Sequence, residues 1–424
     1  MGIVMTVFVV CLLLGIPIAF MLGLTGMTHI LVINPALLLE LPQKLFSSAS
    51  SSSLLAIPLF IIAGDLMNKS GDVDRLMRFV RSLVGQFKGG LCYVTVLLGL
   101  LLGSSLASSN AEAAMLSKSL YPKLKEEGYD SEFLAGLISA TSVIGPLIPP
   151  GLLMVIYGVA SGVSIKSLFL AGIMPGILLA IALCSVVFFT SLRHTEWPVR
   201  AFQGWKEVWD AFKGAILSLG LPVCVLIFIA AGICTPTEAA AVLSFLFMVN
   251  GLFNYKTLKV KDVFDICLSG GITAGAILII GSMGGIFGWT LAYDQIPQKI
   301  TSGILAISQN PYVVLLILNV LILFLGMIMD SVPAVMILVP VLMPLIQKMG
   351  YNPVHFGIII CFNLTIGLFT PPVGTVLYTT ALSTGVPVNN LFKSIWPWVG
   401  VCVLVLFICM YIPGLIMFIP RLIG

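Results

Sequence analysis

Long apolar segments, separated by short polar ones, run through this 424-residue sequence from end to end. An α-helix needs about 20 apolar residues to cross a bilayer, and these segments are continuous rather than alternating, as barrel strands would be. They predict roughly ten to twelve helical elements and an all-α polytopic membrane protein. The first segment, residues 2 to 34, is interrupted at Gly15 and Pro17 and predicts two short helices.

Two further segments have a polar tip between two apolar arms. Residues 91 to 121 carry the tip GSSLASSNAEA and are too short for two full spans, and residues 311 to 345 carry the tip GMIMDSVPA. Irregular backbone at membrane depth is tolerated only where it is buried in protein or lines a cavity. Both segments therefore predict re-entrant hairpins.

Each hairpin is followed by an apolar helix with a Pro-Pro step, and the two copies match. The first copy runs from Ile144 to Phe169 and the second from Ile366 to Phe392. Each proline removes a backbone donor and clashes with the preceding turn, so the helix breaks there. Paired glycine- and proline-interrupted segments indicate the midplane binding site of a transporter. The matched positions are Gly145, Pro149 and Pro150 in the first copy and Gly367, Pro371 and Pro372 in the second.

Composition and charge place these elements in a membrane and orient them. Of all residues, 59% are hydrophobic and 9% are charged, whereas a soluble chain carries about 25% charged residues. Cytoplasmic loops are enriched in Lys and Arg. The connector before the second hairpin has only Lys299, so the first hairpin is predicted to enter from the cytoplasm and the second from the opposite side, as inverted repeats. The basic residues before the first hairpin, in a predicted amphipathic surface helix, are Lys69, Arg75, Arg78, Arg81 and Lys88.

The tips and breaks supply oxygen ligands. Free carbonyls with Ser, Thr, Asn and Asp oxygens suit a small cation, and helix N-termini suit a carboxylate. Asp330 is the strongest candidate for a cation ligand among these residues, because an ionisable group inside the membrane is a functional candidate. Neither broken-helix motif contains an arginine, so carboxylate recognition falls to hydroxyls and helix ends or to a partner protein.

Other polar residues receive simpler interpretations. Glu238 in CTPTEAAA is predicted to cap a helix, and Asp65 is predicted to be solvated near the surface. The Trp-bearing segment 193–213, which includes Trp197, is predicted to be interfacial. The sequence has no Walker A pattern, no CxxC pair among its nine cysteines and no catalytic constellation, so we expect neither an enzyme nor an organic cofactor.

Six segments together resemble the large (M) subunit of tripartite ATP-independent periplasmic (TRAP) transporters, over essentially the whole chain. The individual motifs are weak, but their order and spacing are specific. These segments are PLFIIAGDLM, GSSLASSNAEAAML, SVIGPLIPPG, CTPTEAAA, GMIMDSVPAVMILVP and IGLFTPPVGTVLY.

The resemblance implies a multi-pass permease of the bacterial inner membrane that imports organic acids, chiefly C4-dicarboxylates and sialic acid, with a sodium gradient. A periplasmic substrate-binding (P) protein would deliver the substrate, and a separate small four-helix (Q) subunit would pack beside the chain. Transport would follow an elevator mechanism, in which a transport domain slides against a scaffold. A stand-alone sodium- or proton-coupled anion symporter, a channel and a membrane scaffold remain alternatives.

The resemblance also assigns residues and domains. We expect scaffold and arm helices in 1–90, transport-domain halves in 91–164 and 311–386, connecting and scaffold helices in 165–310, and a final membrane helix in 387–424. The expected substrate-binding residues are Ser109, Pro150, Ser331 and Pro372. The expected sodium ligands are Ser104, Ser105, Ser108, Asn110, Gly145, Pro149, Gly326, Asp330, Gly367, Thr370 and Thr375.

Overall fold

The computed structural model describes residues 2–50, 52–103, 108–194, 196–199 and 201–423, and these residues form helices and connecting turns without a strand. Gly15 adopts a φ of +68° and Pro17 follows it, so the first apolar segment divides into two helices as predicted. The helices of the first half are α1 (Gly2–Leu13), α2 (Ile18–Ile33), α3 (Leu41–Ala49), α4 (Ala56–Lys69), α5 (Asp72–Val84), α6 (Gly90–Gly103), α7 (Ser109–Glu126), α8 (Ser131–Thr141), α9 (Leu152–Ser161) and α10 (Ile165–Arg193).

The second half has the same order of elements as the first: a hairpin, a broken helix and a trailing helix. The shorter described elements are three 3₁₀ segments and one π-helical turn, at Pro35–Glu40, Ser52–Leu55, Gly145–Leu147 and Asn250–Asn254. The helices of the second half are α11 (Trp205–Ala230), α12 (Pro236–Val249), α13 (Val260–Tyr293), α14 (Ile296–Ile307), α15 (Pro311–Ile328), α16 (Ser331–Lys348), α17 (Pro353–Gly367), α18 (Thr375–Thr384), α19 (Val388–Ser394), α20 (Trp396–Tyr411), α21 (Pro413–Ile416) and α22 (Phe418–Ile423).

The predicted fold class is confirmed: the described chain is all-α and polytopic, with a hairpin and a broken helix in each half. Six of its helices are long and apolar enough to cross a membrane, and the number rises to nine if each bent helix pair is one span. The arms of the second hairpin, α15 and α16, are two of these six helices, whereas α6 of the first hairpin and α17 are shorter apolar helices.

The predicted amphipathic helix before the first hairpin is α5. Its apolar face, which includes Val73, Leu76 and Val80, is buried in the main core. Asp72 at its start is completely buried and accepts hydrogen bonds from the hydroxyls of Ser70 and Ser218. Because Ser218 belongs to α11, these bonds fix α5 against that helix.

The structure shows the surroundings of Glu238 and Trp197, two residues that the sequence analysis interpreted. Glu238 caps α12 as predicted, because its side chain accepts from the backbone N–H of Thr235 at 2.8 Å while Thr235 accepts from the Glu238 N–H. Trp197, in the segment predicted to be interfacial, is 5% exposed and packs at centroid distances of 5.0 and 5.4 Å from Tyr129 and Phe133. Trp205 and Trp209 of the same segment are 77% and 57% exposed, and the interfacial position of the segment is still a prediction.

Candidate functional site: the two hairpin tips

The first hairpin consists of α6 and α7, and its second arm begins inside the protein. Ser108 is the extended residue before α7, and Ser109 is the first residue of that 18-residue helix. The predicted ligands Ser104 and Ser105 lie outside the described residues. The backbone N–H groups of a helix start have no partner within the helix and carry a partial positive charge, so the start of α7 can attract an anion.

The second hairpin, α15 and α16, is built in the same way. Asp330 is the cap residue of α16, and one of its carboxylate oxygens accepts from the backbone N–H of Val332 at 3.3 Å. Ser331 is the first residue of this helix, as Ser109 is of α7. Hence the tips differ mainly in the cap residue, which is a serine in the first hairpin and a carboxylate in the second.

Both broken helices stop at the predicted positions. In the first half, α8 and the turn Gly145–Leu147 are bent by 44° from α9. In the second half, α17 ends at Gly367 and α18 starts at Thr375. The bonds Pro149–Pro150 and Pro371–Pro372 are both cis, so the repeat recognised in the sequence is also a repeat of backbone conformation.

Each hairpin is packed against its own broken helix through a pair of glycines. A Cβ atom on Gly103 would lie 2.9 Å from the Cα atom of Gly145, and one on Gly367 would lie 2.4 Å from the carbonyl carbon of Gly326. A real side chain cannot occupy either position without movement of backbone. Gly326 therefore contributes close backbone packing at the base of the tip.

The two tips line one small cavity between the repeats, which we call the tip cavity. Its volume is about 50 Å³, enough for a few water molecules or an ion and well below the several hundred Å³ of a typical small-molecule pocket. It is lined by Ser108, Ser109, Asn110, Pro146, Leu152, Leu153, Asp330, Ser331, Val332, Thr365 and Leu368.

Two hydroxyl groups at the tip cavity are available for a ligand. Ser109 and Ser331 are 2% and 4% exposed, and within the described part of the chain neither side-chain oxygen has a hydrogen-bond partner. A buried hydroxyl without a partner costs free energy, so both oxygens would be stabilised by a bound ion or carboxylate. The two serines occupy equivalent positions at the starts of α7 and α16.

Asn110 connects the two halves beside the tip cavity. Its amide nitrogen donates to the hydroxyl of Thr375 at 3.3 Å, and its amide oxygen accepts from the hydroxyl of Thr379 at 3.3 Å. The sequence placed Asn110 in the tip of the first hairpin and Thr375 at the break of the second repeat. The structure brings them together because α7 of the first hairpin packs along α18 of the second broken helix.

The structure separates several other predicted site residues from the tip cavity. Thr370 is buried, and its hydroxyl donates to the carbonyl of Ile366 at 2.7 Å. Pro149 lines a different, apolar cavity between α6, α10 and α11. The residues that line the breaks without lining the tip cavity are Gly145, Pro149, Pro150, Gly367, Thr370, Pro372 and Thr375.

Sequence reasoning missed Pro146 and Thr365, which line the tip cavity from the two broken helices. Thr365 stands two residues before Gly367, and its hydroxyl donates to the carbonyl of Cys361 at 2.7 Å. The position of this hydroxyl residue within one turn of the break was the sequence signal that could have identified Thr365 as a site residue. For Pro146 the signal was its place in the same proline-rich break, between Gly145 and Pro149.

Glu112 is a second unusual acid near this site. It is completely buried, no described side chain hydrogen-bonds its carboxylate, and the backbone of Gly145 at the first break faces it. A Cβ atom on Gly99 would lie 2.7 Å from one of these oxygens and 2.3 Å from a methyl group of Thr141. Glu112 thus lies where α6, α7 and α8 meet the first break, and it does not line the tip cavity.

The site as a whole is a small cavity between two helix starts, lined by both oxygen-bearing and apolar side chains. It offers one carboxylate and two unpartnered hydroxyls, and the described residues contain no group of three His, Cys, Asp or Glu side chains that could hold a transition metal. Hard oxygen ligands suit a small cation, and helix starts suit a carboxylate. Together with the paired broken helices, this arrangement defines the class of secondary transporters.

The comparisons with known proteins give the family. The family model described as "Tripartite ATP-independent periplasmic transporter, DctM component" matches residues 5–415, and the chain belongs to this family. The sialic acid TRAP transporter large permease protein SiaM of Vibrio cholerae is 34% identical over 409 residues, which cover 96% of this chain and 95% of SiaM. The C4-dicarboxylate TRAP transporter large permease protein DctM of Pseudomonas aeruginosa is 33% identical over 403 residues, or 95% and 94% of the two chains.

A solved structure supports the fold independently. The YdaH transporter of Alcanivorax borkumensis superposes with a TM-score of 0.66 over 90% of this chain and 88% of that one, at 15% identity. The family match, rather than this fold likeness, shows that the chain is a large TRAP permease subunit and an integral protein of the bacterial inner membrane. Its relatives are permeases rather than enzymes, in agreement with the prediction from the sequence.

Proposed function

We propose that the chain is the permease subunit of a sodium-coupled importer of organic acids of the sialic acid or C4-dicarboxylate type. The observation that carries this proposal is the tip cavity, where Asp330, Ser109 and Ser331 converge from both repeats. A carboxylate next to unpartnered hydroxyls suits Na⁺, since sodium prefers hard oxygen ligands. The printed substrates of the two relatives, sialic acid and C4-dicarboxylates, support the choice of an organic acid.

Within this proposal the ion and the substrate use different parts of the tip cavity. One carboxylate oxygen of Asp330 accepts the cap hydrogen bond from the backbone N–H of Val332. The other oxygen binds a sodium ion, which is also bound by backbone carbonyls of the neighbouring break. The substrate carboxylate binds the hydroxyls of Ser109 and Ser331 and the helix starts behind them. Because the cation offsets the charge of the acid, each ligand raises the affinity for the other, which is the thermodynamic basis of coupled transport.

Two partner proteins complete the proposed transporter. The word "tripartite" in the family description supports three components. A periplasmic binding protein would deliver the acid, and a small four-helix membrane subunit would cover part of the apolar outer surface. The exposed apolar residues of α13, such as Phe264, Leu268 and Ile272, offer one face for such contacts.

Alternating access is proposed to occur by an elevator movement. The glycine contacts tie each hairpin to its own broken helix, and Asn110 ties the two halves to each other. These elements can therefore move together as one unit that carries the tip cavity. The outer helices, including α11 and α13, would form the scaffold against which the unit moves.

Uptake into proteoliposomes tests the proposal. The complete transporter, with its binding protein and small subunit, should accumulate radiolabelled sialic acid or succinate only with an inward sodium gradient. Asp330→Asn should lose most of the sodium-dependent uptake. The matched control Asp74→Asn changes an exposed acid on α5 and should leave uptake unchanged.

The same measurement separates the alternatives. Efficient sodium-driven uptake without the binding protein would favour a stand-alone symporter, and uptake driven only by a proton gradient would exclude sodium as the coupling ion. Normal sodium dependence in Asp330→Asn would remove the tip cavity from the coupling mechanism.

A further inference from the structure

A long apolar groove runs along the outside of the first hairpin, away from the tip cavity. It consists of two adjoining cavities of about 220 and 560 Å³ that share Leu100 and Ile177. The inner cavity reaches Pro149 at the first break and is closed on one side by α11, where Pro222 and Leu226 line it. The outer cavity lies between α6 and α10 and ends at Tyr93 and Phe189. We call this feature the α6–α10 groove.

The dimensions of the α6–α10 groove fit a hydrocarbon chain. From Ile173 to Phe189 it follows α10 for about 24 Å, at 1.5 Å per residue. One leaflet contributes half of a hydrocarbon core that is about 30 Å thick, so the groove can take an acyl chain along its full length. Among the described residues, no charged side chain lines either cavity.

The groove is open to the bilayer rather than enclosed by protein. Three large apolar side chains on its rim are about half or more exposed: Ile181 at 57%, Phe188 at 50% and Phe189 at 65%. Aromatic residues collect at its outer end, where Phe87 packs edge-on to Tyr93 at 6.4 Å between ring centroids. Aromatic side chains are enriched at the membrane interface, so this end lies near the headgroups.

Basic residues stand at the same end. Arg193 is exposed in the last turn of α10, and Lys88 precedes the turn at Gly89. That turn lies against the end of α10, because a Cβ atom on Gly89 would be 3.7 Å from the Cβ atom of Ser191. The nearby acid Glu196 lies 2.7 Å from the ring of His194 and also interacts with the charge of Lys88. Lys88 and Arg193 against this one carboxylate leave the net charge at this end positive.

From the apolar groove and the basic residues at its open end, we infer that the α6–α10 groove binds an anionic glycerophospholipid, with one acyl chain along the groove and the phosphate between Lys88 and Arg193. The positive-inside distribution of charge places this end at the cytoplasmic leaflet, which carries the anionic lipids. A neutral lipid would fill the same apolar space without using the two cations. The bound chain would lie between the first hairpin and α11 and would separate these elements.

Photo-crosslinking of the full chain in vesicles tests this inference. The probes are phosphatidylglycerol and phosphatidylcholine that carry a diazirine in one acyl chain, each at trace level in vesicles of phosphatidylethanolamine and phosphatidylglycerol. We expect phosphatidylglycerol to label α6 and α10 peptides at least threefold more than phosphatidylcholine. The double variant Lys88→Gln, Arg193→Gln should abolish this preference, whereas Lys206→Gln, Lys261→Gln, which removes two other exposed cations, should keep it.

A steric variant tests the apolar part separately. Ser185 is exposed and lines the groove, so Ser185→Trp should lower labelling by both probes, whereas Leu192→Trp on the exposed end of α10 should not. Thermal unfolding of each purified variant establishes that it is folded. Equal labelling by the two lipids, or labelling that survives both the charge and the steric variants in folded protein, would overturn the inference.

Discussion

The backbone of Gly367 packs directly against that of Gly326, so that a Cβ atom on Gly367 would lie 2.4 Å from the carbonyl carbon of Gly326. Gly326 lies near the end of the first arm of the second hairpin, and Gly367 is the last residue of α17. Gly103 and Gly145 make the equivalent approach in the first repeat. Hairpin and broken helix are thus joined by backbone contact, which leaves little freedom for a tip to move alone.

Gly367→Ala should destabilise the protein and reduce uptake. The new methyl group has no space, and overpacking in a core typically costs 1–3 kcal/mol. The melting temperature in detergent and the rate of uptake in proteoliposomes measure the two effects. Gly400→Ala adds the same methyl group on α20, where nothing lies within 4 Å of it, and should behave as the unchanged protein. Equal melting temperatures for the two variants would contradict the close approach.

Ser109→Ala and Ser331→Ala should each weaken substrate binding. Each removes a hydroxyl at the tip cavity that the described protein does not itself satisfy, and a hydrogen bond contributes about 0.5–1.5 kcal/mol. The KM for the transported acid should rise roughly two- to twelvefold, with little loss of thermal stability. Ser185→Ala, whose hydroxyl donates to the carbonyl of Ile181 on the outer face of α10, is the control. An unchanged KM in both tip variants would place the substrate elsewhere.

Asn110 and Thr379 should be energetically coupled. Their side chains meet at 3.3 Å across the two repeats, and residues in one hydrogen-bond network typically show coupling of 0.5–3 kcal/mol. A double-mutant cycle with Asn110→Ala and Thr379→Val, read by denaturation in mixed detergent, measures this coupling. A second cycle that pairs Asn110→Ala with Ser185→Ala, in a distant part of α10, should be additive. Additivity in the first cycle would mean that the contact between the halves has no energetic role.

Asp72→Ala should destabilise the contact between α5 and α11. Asp72 is fully buried and accepts from Ser70 and Ser218, so its removal leaves the Ser218 hydroxyl buried without its acceptor, which costs about 1–3 kcal/mol. Ser218→Ala removes one bond and should cost about 1 kcal/mol. Asp74→Ala, on the exposed side of the same helix, should cost little. A loss in Asp74→Ala equal to that in Asp72→Ala, measured by melting temperature, would contradict this role.

The sequence alone determined which elements form. Pro-Pro steps, flanking glycines and polar tips act within a few residues, because a proline removes its own backbone donor and a cap residue bonds the next turn. The two hairpins, the breaks near Gly145 and Gly367 and the capping role of Glu238 were therefore predictable. Asp330 was correctly placed at a tip for the same reason, although its role as a cation ligand is still a prediction.

Which of these elements meet depends on the packing of the folded chain. Asn110 and Thr375 are 265 residues apart in sequence, and no local pattern predicts their contact, which follows from the packing of α7 along α18. Other contacts between distant segments bring Ser109 and Ser331 to one cavity, place Pro149 at an apolar groove and bury Trp197. Local backbone chemistry thus specifies the broken helices, whereas burial of apolar surface between distant helices selects the partners of each polar group.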